Sequence, residues 1–144
     1  DEHRYIEQNG EKIGLVGVQN CSNHGFVNYG SLAKATKNIN YCPVNILLSH
    51  DPSHWGKEVN REYPRIDLTL SGHTHGMQFG VEIPGFKWSP VQYFYKEWAG
   101  LYRENNQYLY VNRGLGFIGY PGRVGILPEI TVIELSKKVS STPG

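Results

Sequence analysis

The pattern of residues in the first part of the chain predicts a hairpin followed by a short helix. The hairpin strands are residues 4–8 and 12–19, and they flank Asn9-Gly10, a pair that readily takes the positive φ angles of a two-residue turn. Residues 31–37 have a helical pattern, and Ser31 is suited to cap it.

Two compact apolar runs, 44–49 and 66–71, have no polar alternation and are typical of strands covered on both faces. Between them, Asp51-Pro52 combines a capping residue with a proline suited to the first helical position. That helix should end before Tyr63-Pro64, because a residue that precedes proline resists the helical conformation. Since the connection is too long for a tight hairpin, the two strands should be parallel.

The later part of the chain predicts further strands and no long helix. Residues 79–98 are aromatic and broken by proline, so they are interpreted as a loop. Residues 101–104 and 108–112 flank Asn105-Asn106-Gln107 and predict a second hairpin, and residues 130–135 alternate as a last strand that closes the sheet. The fold class is therefore α/β, with a mixed sheet and short helices.

Composition narrows the class of protein further. The 144 residues suit one domain, and Lys+Arg 14 against Asp+Glu 13 gives no positive field that would follow a nucleic-acid backbone. The longest aliphatic stretch, residues 46–48, is too short for a membrane span. Cys21 and Cys42 lack CxxC spacing, which predicts idle or buried thiols rather than a disulfide scaffold or a cysteine zinc site.

The beginning and end of the chain bear on how it relates to a longer protein. Residue 1 is Asp and the single methionine is Met77, so the chain is expected to be a processed product or a fragment of something longer. We expect residues 1–144 to form one domain fragment with a disordered tail over 139–144.

Histidines stand at the ends of the two buried strands. His50 follows the first strand, and His73 and His75 follow the second, bracketed by Gly72 and Gly76. Because ligands bind at the carboxyl ends of parallel strands and imidazole is a common metal ligand, the three histidines predict a metal site. The alternative is a set of rim histidines bonded to backbone, but the glycine bracket and the third histidine favour a metal. An i, i+2 pair on a strand would place His73 and His75 on one face.

Carboxylates to complete such a site are not in suitable positions. Asp51 would face away from His50, Asp67 lies at the far end of its strand, and Glu82 is only a loose candidate in a glycine- and proline-rich loop. Two close dications need carboxylates to offset their repulsion, so the chain is expected to carry half a metal site. The other histidines, which have no such context, are interpreted as surface residues: His3, His24 and His54.

Four stretches of the sequence are NILLSHDP (45–52), SGHTHGMQ (71–78), VNRGLG (111–116) and PEI (128–130). Together and in this order they resemble one known family, the calcineurin-like metallophosphoesterases. The branch they resemble usually reads GHTHGGQ and ends in an RGLG…PEI stretch, and Met77 here replaces the usual glycine. The resemblance extends over residues 44–135 and implies the C-terminal half of a four-layer αββα sandwich.

The resemblance also implies a ligand set and its limits. His50 and His73 would bind one metal and His75 the other, with two divalent ions (Mn, Fe or Zn) in the intact enzyme. The family's early motifs, Asp-x-His, Gly-Asp-x-x-Asp and Asn-His-Asp/Glu, are absent, and neither His3 nor Asn23-His24 replaces them. We therefore expect the parent protein to be a phosphomonoesterase or phosphodiesterase whose missing N-terminal half is this chain's partner. The fragment alone should be inactive and supplies no catalytic residue.

Other residues have two interpretations each. Arg113 could bind a phosphate-ester substrate or tie the end of the sheet together, and Asp51 could orient a ligand imidazole or cap a helix. The aromatic residues within 93–98 could line a groove or pack on the sheet. The alternative functions are a non-catalytic metal-binding or interaction module and a purely structural module. Branch members often carry an N-terminal membrane anchor, so the parent is expected to be membrane-associated or otherwise cytoplasmic.

Overall fold

The computed structural model describes residues 1–22, 25 and 27–136, so Asn23, His24 and the tail 139–144 lie outside the described residues. Six strands form one mixed sheet and two form a separate ribbon. In chain order the strands are β1 (Glu2–Gln8), β2 (Glu11–Gly17), β3 (Val44–Leu48), β4 (Leu68–Ser71), β5 (Val81–Ile83), β6 (Phe86–Trp88), β7 (Gly100–Glu104) and β8 (Gln107–Val111). The large sheet has the order β1-β2-β3-β4-β8-β7. The predicted mixed sheet is thus confirmed.

Both predicted hairpins form at their asparagine turns. β1 and β2 are antiparallel, and the turn between them holds Asn9 at φ 52° and Gly10 at φ 80°. β7 and β8 are likewise antiparallel, and Asn105 at φ 53° begins their two-residue turn. The predicted cap is also present, because the Ser31 hydroxyl accepts a hydrogen bond from the Lys34 amide at the start of α1 (Leu32–Ala35).

The two buried strands are parallel neighbours joined by a helical crossover, as predicted. The crossover contains a π-helical turn (Trp55–Val59) that continues into α2 (Asn60–Glu62) and ends before Tyr63-Pro64. β2, β3, β4 and β8 all run in the same direction, so their carboxyl ends meet at one rim of the sheet.

The main core lies between the sheet and its two helical segments. Fully buried aliphatic side chains from the central strands pack against α1 and the π-helical turn. A smaller cluster lies under the loops that follow β4, formed by Val91, Trp98, Ala99 and Ile126. Cys21 and Cys42 are both buried and free, so the thiols are buried, as predicted. Within the described part of the chain, no helix is both long and apolar enough to cross a bilayer.

Two predictions about the later part of the chain were wrong. Residues 79–98 contain the β5–β6 ribbon and a 3₁₀ turn (Pro90–Tyr93) rather than a plain loop. Residues 130–135 form no strand, and Val132 is 91% exposed. The physical reason is that β8, the strand beside this segment, is already paired on both sides by β4 and β7. Side chains attach the segment instead, for example Asn112 Nδ2 to Thr131 Oγ1 at 2.7 Å.

Candidate metal centre

Two histidines meet where β3 and β4 end. The ladder between these strands continues past their last residues, because Ser49 N donates to Leu70 O and Gly72 N donates to His50 O at 3.0 Å. This pairing holds His50 and His73 side by side, with His73 Nδ1 3.0 Å from His50 Nε2. Their rings meet edge to face, with centroids 4.8 Å apart.

The second ring nitrogen of His73 is held by a tyrosine and a buried carboxylate. His73 Nε2 lies 2.9 Å from the Tyr95 hydroxyl, which donates to Asp51 Oδ2 at 3.3 Å. Because a hydroxyl that donates to a carboxylate can accept from the ring, this arrangement fits the His73 tautomer with its proton on Nε2. In that tautomer the lone pair on Nδ1 points toward His50.

The charge states in this chain of hydrogen bonds follow from burial and from neighbouring groups. Burial raises the pKa of Tyr95, and the Asp51 carboxylate raises it further, so the phenol keeps its proton. Burial alone would raise the pKa of Asp51, but hydrogen bonds from Ser22 and Ser53 and the proximity of His73 lower it overall. Asp51 is fully buried, and its Oδ1 also accepts from Ser53 N at 2.8 Å near the start of the crossover, which agrees with the helix-capping role. Its role in orienting a ligand imidazole stays a prediction.

The histidine pair fits two ligands of one metal ion. Two nitrogens bound at about 2.1 Å to one tetrahedral ion are about 3.4 Å apart, and His73 Nδ1 lies 3.0 Å from His50 Nε2, so a small movement of the rings would accommodate an ion. Ligand histidines commonly donate their other N–H to a fixed acceptor, and the Tyr95 hydroxyl is placed to accept from His73 Nε2. Among the described residues no three His, Cys, Asp or Glu side chains could hold one ion. A metal ion held by the pair would therefore need further ligands.

His75 stands apart from the pair but has the character of a ligand. Its Nδ1 is buried and has no hydrogen-bond partner. Burial lowers the pKa of His75, and Arg123 and His50 lower it further against an opposing backbone contact from Gly116, so the ring tends to be neutral. Its assignment to a second metal ion stays a prediction.

The backbone after β4 does not continue as a strand. His73, His75, Met77 and Gln78 all have positive φ angles between 50° and 67°. The premise that His73 and His75 alternate as strand residues was therefore wrong, because the chain curls in the left-handed region as soon as the sheet ends. Thr74 stabilises the curl, since its hydroxyl donates to Trp98 O at 2.8 Å.

Sequence reasoning missed two side chains that hold the loops around the site. Gln78 is fully buried and its amide nitrogen donates to Tyr120 O at 2.9 Å. Arg123 donates to Arg113 O at 2.9 Å and to Gly116 O at 2.7 Å. Gln78 could have been suspected from its place in the GHTHGMQ motif, whereas nothing in the sequence distinguishes Arg123 from other arginines.

Arg113, the candidate substrate ligand, is occupied by two carboxylates. Its Nε lies 2.8 Å from Glu129 Oε2, its Nη1 pairs with Glu82, and its side chain is 15% exposed. These contacts agree with the alternative that Arg113 ties the end of the sheet together, and its role toward substrate stays a prediction. The remaining carboxylate considered for the site, Asp67, accepts from Asn45 N at 2.7 Å at the opposite rim.

The interpretation of His54 as a surface residue was wrong. His54 is fully buried, with Nδ1 2.8 Å from Ser49 Oγ and Nε2 2.9 Å from Glu58 Oε2. Burial lowers the pKa of His54, and Glu58 only partly opposes the effect. His3 is half-buried and its Nδ1 contacts Ala35 O at 2.8 Å. The sequence around His54 contains no signal that distinguishes a buried histidine from an exposed one.

The chain is similar to several curated proteins. A Danio rerio "Transmembrane protein with metallophosphoesterase domain" is 33% identical over 136 residues, covering 91% of this chain and 30% of that protein. "Phosphodiesterase YaeI" of Escherichia coli is 39% identical over 62% of this chain and 32% of its own length. "Uncharacterized metallophosphoesterase YkuE" of Bacillus subtilis is 41% identical over 63% of this chain and 30% of its own length. No family model and no solved structure matches the chain. The chain thus spans less than a third of the length of these relatives.

Proposed function

Since the chain belongs to the calcineurin-like metallophosphoesterases, we propose that it supplies the histidine ligands of a two-metal centre that hydrolyses phosphate esters. The contact between His50 Nε2 and His73 Nδ1 at 3.0 Å supports this proposal more than any other observation. His50 and His73 are assigned to one divalent ion and His75 to the other. Mn, Fe and Zn all suit a histidine-rich set.

The residues behind the pair keep it ready to bind. The Tyr95 hydroxyl fixes the Nε2 proton of His73, and the buried Asp51 carboxylate fixes the Tyr95 hydroxyl. His73 therefore presents a lone pair without losing a proton. When bound, divalent ions supply a hydroxide at neutral pH and polarise the phosphoryl oxygen.

The acidic ligands would come from the rest of the longer protein. Among the described residues the nearby carboxylates are already engaged: Asp51 by Tyr95 and Ser53, and Glu82 by Arg113. The histidine rim would thus face a second set of ligands that lies outside this chain. The name of the Escherichia coli relative makes a phosphodiester the first substrate to assay. The name of the Danio rerio relative supports a membrane-associated parent.

Zinc binding to the chain tests the histidine assignment directly. Isothermal titration calorimetry on the wild type should detect binding, and His50→Ala or His73→Ala should weaken it by about tenfold or more because each removes one of two adjacent ligands. His3→Ala is the matched control, since His3 lies on the edge strand β1. Equal zinc affinity in His73→Ala and His3→Ala would contradict the assignment.

Activity separates the enzyme from a non-catalytic metal-binding module. The chain alone with added manganese should hydrolyse a chromogenic phosphodiester little or not at all, because the bridging carboxylates are missing. Vigorous turnover by the chain alone would refute the half-site. A longer protein that binds metal through these histidines and still shows no turnover would favour the non-catalytic module.

A further inference from the structure

A groove of about 630 Å³ opens beside His73 on the side of the loops that follow β4. This volume lies within the usual range of small-molecule sites. The side chains of Met77, Val91, Phe94 and Ile118 form much of its wall. The groove therefore joins an apolar surface to the proposed metal pair.

The polar atoms in the groove wall already have partners within the protein. Thr74 Oγ1 donates to Trp98 O, the Tyr95 hydroxyl donates to Asp51, and the Tyr120 hydroxyl donates to Gln78 O at 2.8 Å. Among the described residues that line the groove, His73 is the one ionisable nitrogen base. A sugar or another hydroxyl-rich group would lose its hydrogen bonds to water here and gain few in return.

One buried side chain connects the two sides of the groove and so defines its shape. Gln78 follows Met77 directly, and its amide accepts from Ile118 N and donates to Tyr120 O. Met77 and Ile118 nevertheless remain 40% and 61% exposed. Apolar side chains exposed to water at a concave site are typical of ligand-binding surfaces.

We propose that the substrate is a phosphate ester whose alcohol part is apolar, an alkyl or aryl group that lies in this groove while its phosphoryl group reaches the His50–His73 pair. This proposal rests on the proposed function. It excludes hydroxyl-rich esters, such as sugar phosphates and nucleotides bound through their ribose, as preferred substrates. The apolar part gains affinity from burial against Met77 and Ile118.

Non-hydrolysable phosphonates test the proposal on the chain itself. Methyl-, propyl- and hexylphosphonate are titrated in the presence of zinc, and amide shifts are followed by ¹H–¹⁵N NMR. Affinity should rise with chain length, by up to about fourfold for each methylene that is buried. The shifts should centre on Met77, Ile118 and Tyr120. Dihydroxypropylphosphonate, which matches propylphosphonate in length, should bind no better than methylphosphonate.

Two variants locate the effect. Ile118→Ser should weaken hexylphosphonate by about tenfold and leave methylphosphonate within about twofold. Ile83→Ser is the matched control, since Ile83 is an exposed isoleucine on β5 outside the groove. Equal affinity for methyl- and hexylphosphonate, or an equal loss in the two variants, would overturn the apolar-substrate proposal. A chain-length effect in a protein that binds no zinc through its histidines would instead overturn the proposed function.

Discussion

Met77 occupies a backbone position that glycine fits better, and this makes a testable prediction about stability. Its φ of 53° and ψ of 13° lie in the left-handed region, which costs an L-residue about 1–2 kcal/mol relative to glycine. Glycine also lowers the free energy of unfolding by about 0.4–1 kcal/mol, because it increases the conformational entropy of the unfolded chain. The net backbone gain from glycine at this position is therefore about 1 kcal/mol.

Comparison of Met77→Gly with Met77→Ala isolates that gain, because both variants lose the same partly exposed side chain beyond Cβ. Met77→Gly should have the larger free energy of unfolding by about 1 kcal/mol, equivalent to about 3 °C in Tm. Urea denaturation followed by tryptophan fluorescence measures it, and the buried Trp55 in the main core provides the signal.

Ala33→Gly provides a control of opposite sign, since Ala33 lies within α1 (Leu32–Ala35). There glycine should lower the free energy of unfolding by about 1 kcal/mol. If Met77→Gly were no more stable than Met77→Ala, the strain assigned to the curl after β4 would be refuted.

Three further predictions concern the supports of the site. Tyr95→Phe should weaken zinc binding about tenfold, as loss of an outer-shell partner does, while Tyr93→Phe, at an exposed tyrosine nearby, should leave it unchanged; equal affinities in calorimetry would remove Tyr95 from that role. Burial alone would raise the pKa of Glu129, but hydrogen bonds from Tyr110, Arg113 and Thr131 lower it to about 2. The contribution of the Glu129 carboxylate to the free energy of unfolding is therefore complete above about pH 4.5 and is lost as the pH falls toward 2. In Glu129→Gln the free energy of unfolding should decrease less between these pH values, by up to about 3 kcal/mol. His54→Ala should lower the free energy of unfolding by about 2–4 kcal/mol, because it leaves Ser49 and Glu58 without their buried partner; an unchanged urea midpoint would contradict this.

The parts of the fold that could be predicted from the sequence are those in which local chemistry decides the structure. Asn9-Gly10 specifies a two-residue turn by itself. The apolar runs that become β3 and β4 are short and continuous, which favours buried strands over other structures. Because these two strands are parallel neighbours, the residues that follow them, His50 and His73, could be expected to lie side by side. Each of these inferences needed only residues close together in sequence.

The rest depended on neighbours that are distant in sequence. The alternation in 130–135 predicts a strand only if a sheet edge is available, and β8 has none left. His54 is buried because Ser49 and Glu58 offer it two hydrogen bonds, which composition does not reveal. The curl of His73–Gln78 is imposed by contacts such as that from Thr74 to Trp98, so strand periodicity failed there.

The two tight turns, at Asn9-Gly10 and at Asn105-Asn106, precede β2 and β8 and therefore lie at the rim opposite the histidines. That rim is therefore a suitable place to attach a label or a surface tether. A fluorophore or a short tether placed in either turn would leave the histidine face open to solvent. Immobilised in this orientation, the protein could be screened against candidate ligands without obstruction.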